Sequence, residues 1–330
     1  MASFPQNETW RWGLGLVLLG VATALVYGAV PAVVDGEEGS SRPSSRPPVQ
    51  RPPAFIPPPA PGQEVWSMPG LWERDPPFPY LPGEDRTKSR SIGGVVHGHL
   101  VNSVSIPQPH PSLTFLDVQY QRRLFYTTDR MRDLVVGAAE HVRSHHPEAV
   151  VRLGNFGNPG GGDIPYSVSH NSGRDADLAF FMLGPDGEPA VPEDLAPLDR
   201  QGHYETDFGT YRFDTARNWR LIEGLIEEGG DQLQYIFVSR PLRRKLLAEA
   251  RRVGADREVR RRARALLHQP YGSLPHDDHF HLRIYCSAID VASGCWDRGT
   301  EHPWYAPHRR ARRRAIDRAW EALDAEAVEV

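Results

Sequence analysis

Histidine and aspartate side chains stand close together near the C-terminal end of the chain, in the stretch HDDHFHLRIYC from His276 to Cys286. If this stretch is a β-strand, its side chains alternate between two faces. Imidazole is a common zinc ligand and the usual proton carrier near neutral pH, so His-x-His on a strand can supply a ligand and a catalytic base from adjacent positions. One face then carries His279, His281 and Arg283, and the other carries Phe280, Leu282 and Ile284.

A second histidine and a carboxylate occur about a hundred residues earlier, in SVSHNSGRDADLAFFM, where Asp177 follows His170 by seven positions. Three ligands from His170, Asp177 and His281, with water in the fourth position, would make a catalytic rather than a structural zinc site. Bound zinc lowers the pKa of its water toward about 7. We predict His279 as the residue that carries the proton, with His276 as the second candidate.

Each of these signals is weak when taken alone. The alternative for HDDH is a hydrophilic turn that leads into the strand. The alternative for Asp175, on the same strand face as Asp177, is that its carboxylate accepts a hydrogen bond from a nearby backbone amide. The glycines of GNFGNPGGG suggest a phosphate loop, but no Gly-Lys-Ser/Thr follows and the dinucleotide spacing is absent. The pairing of His-x6-Asp with His-x-His is much more specific, and it favours a metal site over nucleotide binding.

Hydrophobic periodicity predicts mixed secondary structure around these motifs. A helix begins after an N-cap at Thr128 or Asp129 and ends before Pro147, and a second helix is capped by Asp214. Strands are predicted from Ala149, in ADLAFFM, and from Leu233. Residues 184–212 are rich in Pro, Gly and Asp and predict a long loop.

Two further helices are predicted between Arg240 and Leu267, where eleven Lys/Arg stand against three Asp/Glu. Apolar residues form a stripe along the first, so the arginines most simply cover the solvent faces of amphipathic helices. Attraction to an anionic polymer is the alternative, which the run HRRARRR from His308 permits equally. Neither run has the aromatic interleaving of a nucleic-acid motif, and we predict no nucleic-acid partner.

The N-terminal part of the chain differs in composition from the rest. Residues 12–34 hold no charged side chain and are long enough to cross a hydrocarbon core of about 30 Å. They predict a membrane anchor, preceded by a cytoplasmic segment at 1–11. A cleaved signal peptide is the alternative. Residues 35–64 begin with acidic residues and become proline-rich, which predicts a disordered linker. The folded domain is then 65–330, and the positive-inside tendency places it in the periplasm or cell-wall space.

The whole-chain composition suits one large or two medium globular domains, with 330 residues and 39% hydrophobic content. The formal net charge of −4 gives no overall bias toward nucleic acid or anionic membranes. The two cysteines, Cys286 and Cys295, match no Cys-x-x-Cys zinc site. They predict one small-loop disulfide if the domain lies outside the cytoplasm.

Together, SVSHNSGRDADLAF and HDDHFHLRIYC resemble the motifs of the penicillin-insensitive murein endopeptidases, a family in the wider group of lysostaphin-type enzymes, D-Ala-D-Ala peptidases and hedgehog domains. The resemblance extends through GNFGNPGGG, FDTARNWRLIEGL and LQYIFVSR, and it covers roughly Ser91 to Trp296. It implies an α+β fold, with a small antiparallel sheet flanked by helices and Zn²⁺ in an open groove. It also implies that His170, Asp177 and His281 bind the zinc and that His279 and His276 line the catalytic centre.

Members of this family cut peptide cross-links in peptidoglycan, typically between D-alanine and diaminopimelate, and we expect the same substrate here. A D-Ala-D-Ala-type carboxypeptidase and a non-catalytic, metal-containing wall-binding module remain alternatives. The chain departs from some members at Ser167, where they have another histidine, and Asp199 and His203 do not match the spacing of a second metal site. Three residues near the predicted zinc loop are candidates to contact the peptide: Asn155, Tyr166 and Arg174. The sequence leaves the oligomeric state unknown.

Overall fold

A computed structural model describes residues 85–305 together with Arg314, Asp317 and Glu321. The predicted cytoplasmic segment 1–11, membrane anchor 12–34 and linker 35–64 lie outside the described residues. Within 85–305, no helix is both long and apolar enough to cross a bilayer.

The first half of the described chain contains one long helix and several short strands. In chain order these elements are β1 (Arg90–Gly93), β2 (Gly98–Val101), β3 (Val104–Ser105), β4 (Leu113–Phe115), α1 (Asp117–Arg122), β5 (Tyr126–Thr127), α2 (Asp129–His145) and β6 (Val151–Leu153). Thr128 caps α2 by accepting a hydrogen bond from the backbone N–H of Met131, as the sequence predicts.

The second half holds the remaining strands and four more helices. They are β7 (Asp175–Ala179), β8 (Met182–Leu183), β9 (Pro189–Ala190), β10 (His203–Thr206), β11 (Gly209–Phe213), α3 (Thr215–Gly229), a 3-10 turn (Gly230–Gln232), β12 (Leu233–Phe237), α4 (Arg240–Arg252), α5 (Arg257–Leu266), β13 (Leu267–His268), β14 (His279–Ile284) and α6 (Ala288–Ala292). Asp214 caps α3, and α4 and α5 are the two helices predicted between Arg240 and Leu267.

A six-stranded sheet in the order β13-β12-β14-β7-β6-β4 lies at the centre of the fold. The pairs β12/β14, β14/β7 and β7/β6 are antiparallel, whereas both edge pairs, β13/β12 and β6/β4, are parallel. The α+β class is therefore confirmed, but the expected antiparallel sheet is a mixed one. The parallel edges arise because β4 and β6, and β12 and β13, are connected through helices, which return the chain in the same direction.

The two faces of β14 have different environments, as alternation predicts. Phe280, Leu282 and Ile284 are fully buried in the hydrophobic core, which also contains the apolar sides of α2 and α3. The opposite face carries the histidines. Each fully buried side chain of this size contributes roughly 1.5–3 kcal/mol to stability, so the apolar face fixes which way His279 and His281 point.

The prediction of a long loop at 184–212 is wrong in one respect. This segment contains β9, β10 and most of β11, which join β8 in a second, antiparallel sheet with the order β10-β11-β8-β9. The strands are short and rich in turn residues, and the apolar-polar alternation that would reveal them is too brief to recognise. The ring of Phe213 in β11 lies 6.5 Å from that of Phe280 in β14, so the second sheet contacts the central one.

A disulfide joins Cys286, just after β14, to Cys295, just after α6. This confirms the pairing predicted from the sequence. Cys286 also donates its backbone N–H to the carboxylate of Asp297. The end of the strand that carries His279 and His281 is thus held by a covalent link and by a hydrogen bond.

Candidate metal centre

The register between β14 and β7 brings the two distant motifs together. His281 lies directly opposite Asp177, and Arg283 lies opposite Asp175, in an antiparallel pair. Residues opposed in this way project from the same face of the sheet, with Cβ atoms about 4.5–5.5 Å apart. Pairing of the two strands therefore places a carboxylate beside an imidazole without any contribution from the loops.

His170 reaches this face from the loop between β6 and β7. Its backbone is in the left-handed region, with φ of 77°, which is uncommon for a residue other than glycine. Its N–H donates to the Asp175 carboxylate at 3.1 Å, and its side chain is fully buried. The hydrogen bond offsets part of the cost of the unusual backbone conformation, which is a pattern common at functional sites.

The three side chains converge on a small volume. His170 Nε2 lies 3.3 Å from Asp177 Oδ1, and His281 Nδ1 lies 3.0 Å from the same oxygen. One ligand atom from each residue lies within 4.8 Å of the others. In tetrahedral zinc sites with metal–ligand distances of about 2.0–2.1 Å, the ligand atoms are separated by about 3.3 Å. The geometry therefore fits a small divalent metal ion.

The hydrogen bonding of these atoms gives a second test of fit. His170 Nε2 and Asp177 Oδ1 are both buried, and neither has a hydrogen-bond partner among the described residues. A buried polar atom without a partner costs about 1–3 kcal/mol. A metal ion held between these atoms would satisfy both, so the donor set and its surroundings fit a metal.

His279 lies next to this group. Its Nε2 is 3.3 Å from Asp177 Oδ1, and its Nδ1 is 2.6 Å from Asp278 Oδ1. Among the protein's own groups, burial lowers the pKa of His279, but the carboxylates of Asp177 and Asp278 outweigh it and raise the pKa to about 10. His279 can therefore hold a proton beside the candidate metal position.

His276 is the outermost member of the histidine cluster. Its ring lies 5.6 Å from that of His279 and 5.7 Å from that of His281. Burial and the two neighbouring histidines lower the pKa of His276 to about 3, so its ring is neutral at neutral pH. The residues from His276 to His279 remain partly exposed, and the centre is accessible to solvent on this side.

Asp175 connects several parts of the centre, a role that the sequence did not reveal. Its carboxylate accepts hydrogen bonds from Arg283 Nε at 2.6 Å and Nη2 at 3.2 Å, and Oδ1 lies 3.3 Å from His281 Nε2. Burial opposes ionisation, but Arg283 and His281 hold the pKa of Asp175 well below its usual range. The predicted bond to a backbone amide is present, at His170, and is one of four contacts.

Asn155, one of the suggested peptide contacts, supports the carboxylate of Asp177. Its side-chain N–H donates to Asp177 Oδ2 at 3.2 Å, and its carbonyl oxygen accepts from Arg122 at 3.4 Å. Arg122 also donates to Gln119, which in turn donates to Asp194. This chain of hydrogen bonds runs from the candidate metal centre to the protein surface.

A glycine on the same loop permits a close approach. A Cβ added to Gly154 would lie 2.8 Å from Asp177 Cβ, and Gly154 N–H donates to the Asp177 carbonyl at 2.8 Å. The glycine-rich run thus makes room for the carboxylate-bearing strand, in keeping with the absence of a phosphate-loop motif.

The other two suggested peptide contacts have different positions. Arg174 is buried, and its guanidinium donates to Ser91, Ile284 and Asp297, so the suggestion that it contacts a peptide is wrong. Tyr166 is exposed and stacks under the guanidinium of Arg122. Asp199 and His203 pair in a turn, in which Asp199 accepts the His203 N–H.

An α+β fold that carries a buried His–Asp–His group beside two further histidines defines a candidate metallohydrolase. Residues 91–302 match the family model of the penicillin-insensitive murein endopeptidases, and the chain belongs to that family. The matched segment contains the whole candidate centre, and it confirms the family predicted from the paired motifs. Family membership indicates a murein endopeptidase. A comparison with curated proteins found no match.

Proposed function

We propose that the chain is a zinc-dependent endopeptidase that hydrolyses D-alanyl peptide cross-links in peptidoglycan. His170, Asp177 and His281 converge beside His279, within the segment that matches the family, and this convergence supports the proposal. Cross-linked murein peptides are the substrate class that the family name implies.

In this proposal the zinc ligands are His170 Nε2, Asp177 Oδ1 and His281 Nδ1. Two nitrogen donors and one oxygen donor leave a coordination position for water, as in other catalytic zinc sites. When bound, zinc supplies a Lewis acid and lowers the pKa of its water toward about 7. Asp175 and Asn155 hold His281 and Asp177 in the orientation that binding requires.

His279 is the proposed proton carrier. The Asp278 carboxylate, at Nδ1, sets the orientation of the ring and leaves Nε2 toward the centre. The negative charge of Asp177 supplies much of the attraction that raises the pKa of His279, so that pKa would be lower with a cation held at Asp177. In this role Nε2 would take a proton from the water that adds to the carbonyl carbon of the peptide, and it would return the proton to the amine nitrogen as the C–N bond breaks.

His276 completes the centre as a neutral side chain. A second positive charge beside His279 would disfavour protonation of Nε2, and the low pKa of His276 avoids this. We therefore assign His276 to lining the substrate position rather than to carrying the proton.

We also propose that the domain works in the periplasm or cell-wall space. A disulfide at the end of β14 is typical of proteins folded in an oxidising compartment. The apolar segment at 12–34 and the proline-rich segment at 35–64 would tether the domain to the membrane within reach of the wall.

Digestion of purified sacculi by the full-length chain tests the proposed reaction. We expect cross-linked dimers to be converted to monomers, as followed by mass spectrometry, and we expect His170→Ala or chelation to abolish the conversion. Release of single D-alanine residues would instead show a carboxypeptidase. Retention of the protein on sacculi without product would show a wall-binding module, and either result would overturn the proposal.

A further inference from the structure

A second cluster of potential metal ligands lies on helices α2 and α3, and it shares no residue with the candidate metal centre. His141 and His145 are four residues apart on α2, and Glu223 lies on α3. Residues with this spacing share one face of a helix. One ligand atom from each of the three lies within 4.8 Å of the others.

The hydrogen bonding of His141 prepares one ring nitrogen for a ligand. Its Nδ1 lies 3.3 Å from Glu227 Oε2, whereas Nε2 is buried and has no hydrogen-bond partner among the described residues. Glu227 is nearer to the ring than Glu223, whose Oε2 lies 3.5 Å from Nε2, and it favours the tautomer in which Nδ1 carries the proton and Nε2 has a lone pair. Metal-binding histidines are commonly oriented in this way.

Glu223 supplies an ionised oxygen to the same place. Its Oε2 lies 3.5 Å from His141 Nε2, and the residue is 7% exposed. The guanidinium of Arg220 pairs with this carboxylate and stabilises its charged form. Arg220 contacts only Oε2, at 2.5 Å, so the second carboxylate oxygen is available to a further cation.

His145 lies at the open side of the cluster. Its ring is 4.8 Å from that of His141, and its Nδ1 lies 3.0 Å from the His141 carbonyl oxygen. This contact leaves Nε2 to bind an ion. Because His145 is exposed, a bound ion would keep water in its remaining coordination positions.

The backbones of α2 and α3 approach closely here. A Cβ added to Gly224 would lie 2.8 Å from the Cβ of His141. Ion pairs of His141 with Glu223 and Glu227 explain part of this arrangement, but they do not involve the imidazole ring of His145.

We propose that His141, His145 and Glu223 bind a divalent transition-metal ion of the zinc, nickel and copper class. Imidazole nitrogens with one carboxylate oxygen suit these ions better than magnesium or calcium. Such an ion would link α2 to α3, the helices that pack on the apolar face of the central sheet, and Glu227 would orient His141 without binding the ion itself.

Zinc content after equilibrium dialysis of the full-length chain tests this site. We expect wild-type protein to bind one zinc equivalent more than His145→Ala, whereas His146→Ala, a neighbouring histidine outside the cluster, should match the wild type. His170→Ala should retain the extra equivalent and should still gain thermal stability from zinc, because an ion that binds only the folded state raises Tm.

The difference in zinc content between the wild type and His145→Ala does not depend on the proposed peptidase activity. If the candidate metal centre bound no zinc, the wild type and His145→Ala would still differ by one equivalent. Equal zinc content in these two proteins would overturn the proposal, as would an equal loss in His146→Ala. Glu227→Gln gives a second variant, in which we expect zinc affinity to fall about 10- to 100-fold.

Discussion

Replacing Asp175 by asparagine should separate two roles of one buried carboxylate. In the folded protein it pairs with Arg283 at 2.6 Å and lies 3.3 Å from His281 Nε2, on the far side of the ring from the candidate metal position. Asparagine keeps the shape of the side chain but removes its charge. We therefore expect both the stability of the protein and its zinc affinity to fall.

The two losses have different magnitudes. Removing one partner of a buried ion pair costs about 3–5 kcal/mol. Because the Arg283 side chain is still 15% exposed and can recover some hydration, we expect a value near the lower end of that range. Loss of the carboxylate that orients a metal-binding histidine lowers affinity about 10- to 100-fold, which is about 1.4–2.7 kcal/mol.

The double variant Asp175→Asn/Arg283→Met distinguishes these effects. Methionine removes the unpaired charge and keeps much of the apolar stem, so most of the lost stability should return. The contact with His281 does not return, so zinc affinity should remain low. Urea unfolding in the absence of metal measures the first quantity, and competition with a chelator of known affinity measures the second.

Two results would exclude these two roles of Asp175. If Asp175→Asn bound zinc as tightly as the wild type, the contact with His281 would have no effect on the candidate metal centre. If the double variant regained zinc affinity together with stability, the loss in the single variant would reflect a weakened fold rather than a misoriented ligand.

The remaining predictions concern the proton carrier, the disulfide and the contact between α2 and α3. His279→Ala should lower turnover about 10²- to 10⁴-fold without changing zinc content; lost zinc would identify His279 as a ligand. Cys286→Ser/Cys295→Ser should cost about 2–3 kcal/mol in urea unfolding, as expected for a short closed loop, and two titratable thiols in the exported wild type would contradict the pairing. Gly224→Ala should cost about 1–3 kcal/mol because of the close approach to His141; an unchanged Tm would show that the helices move apart freely.

Local signals were enough to predict the elements that carry the centre. Alternation in β14 distinguished the histidine face from the core face, and the polar caps at Thr128 and Asp214 marked where α2 and α3 begin. These features depend on side chains a few residues apart, so the amino-acid sequence reveals them directly.

Contacts between distant segments were harder to predict. Alternation puts Arg283 on the face of His281 and Asp175 on the face of Asp177, but only the register of β7 and β14 shows that Asp175 and Arg283 form an ion pair. The role of Arg174 depends on how distant segments pack around it, and sequence proximity to His170 was a poor guide to that role. The small second sheet was missed because its strands are too short for a periodic signal.

The most direct test of zinc-dependent catalysis is to measure cross-link hydrolysis as a function of the zinc that the protein binds. Full-length protein stripped of metal is titrated with zinc, and the conversion of purified cross-linked muropeptide dimers to monomers is measured together with the zinc content of the protein. We predict no conversion by the stripped protein, full conversion after zinc is restored, and none by His170→Ala at any zinc concentration. Conversion by the stripped protein or by His170→Ala, or no conversion by the zinc-loaded wild type, would show that zinc at this centre does not catalyse the hydrolysis.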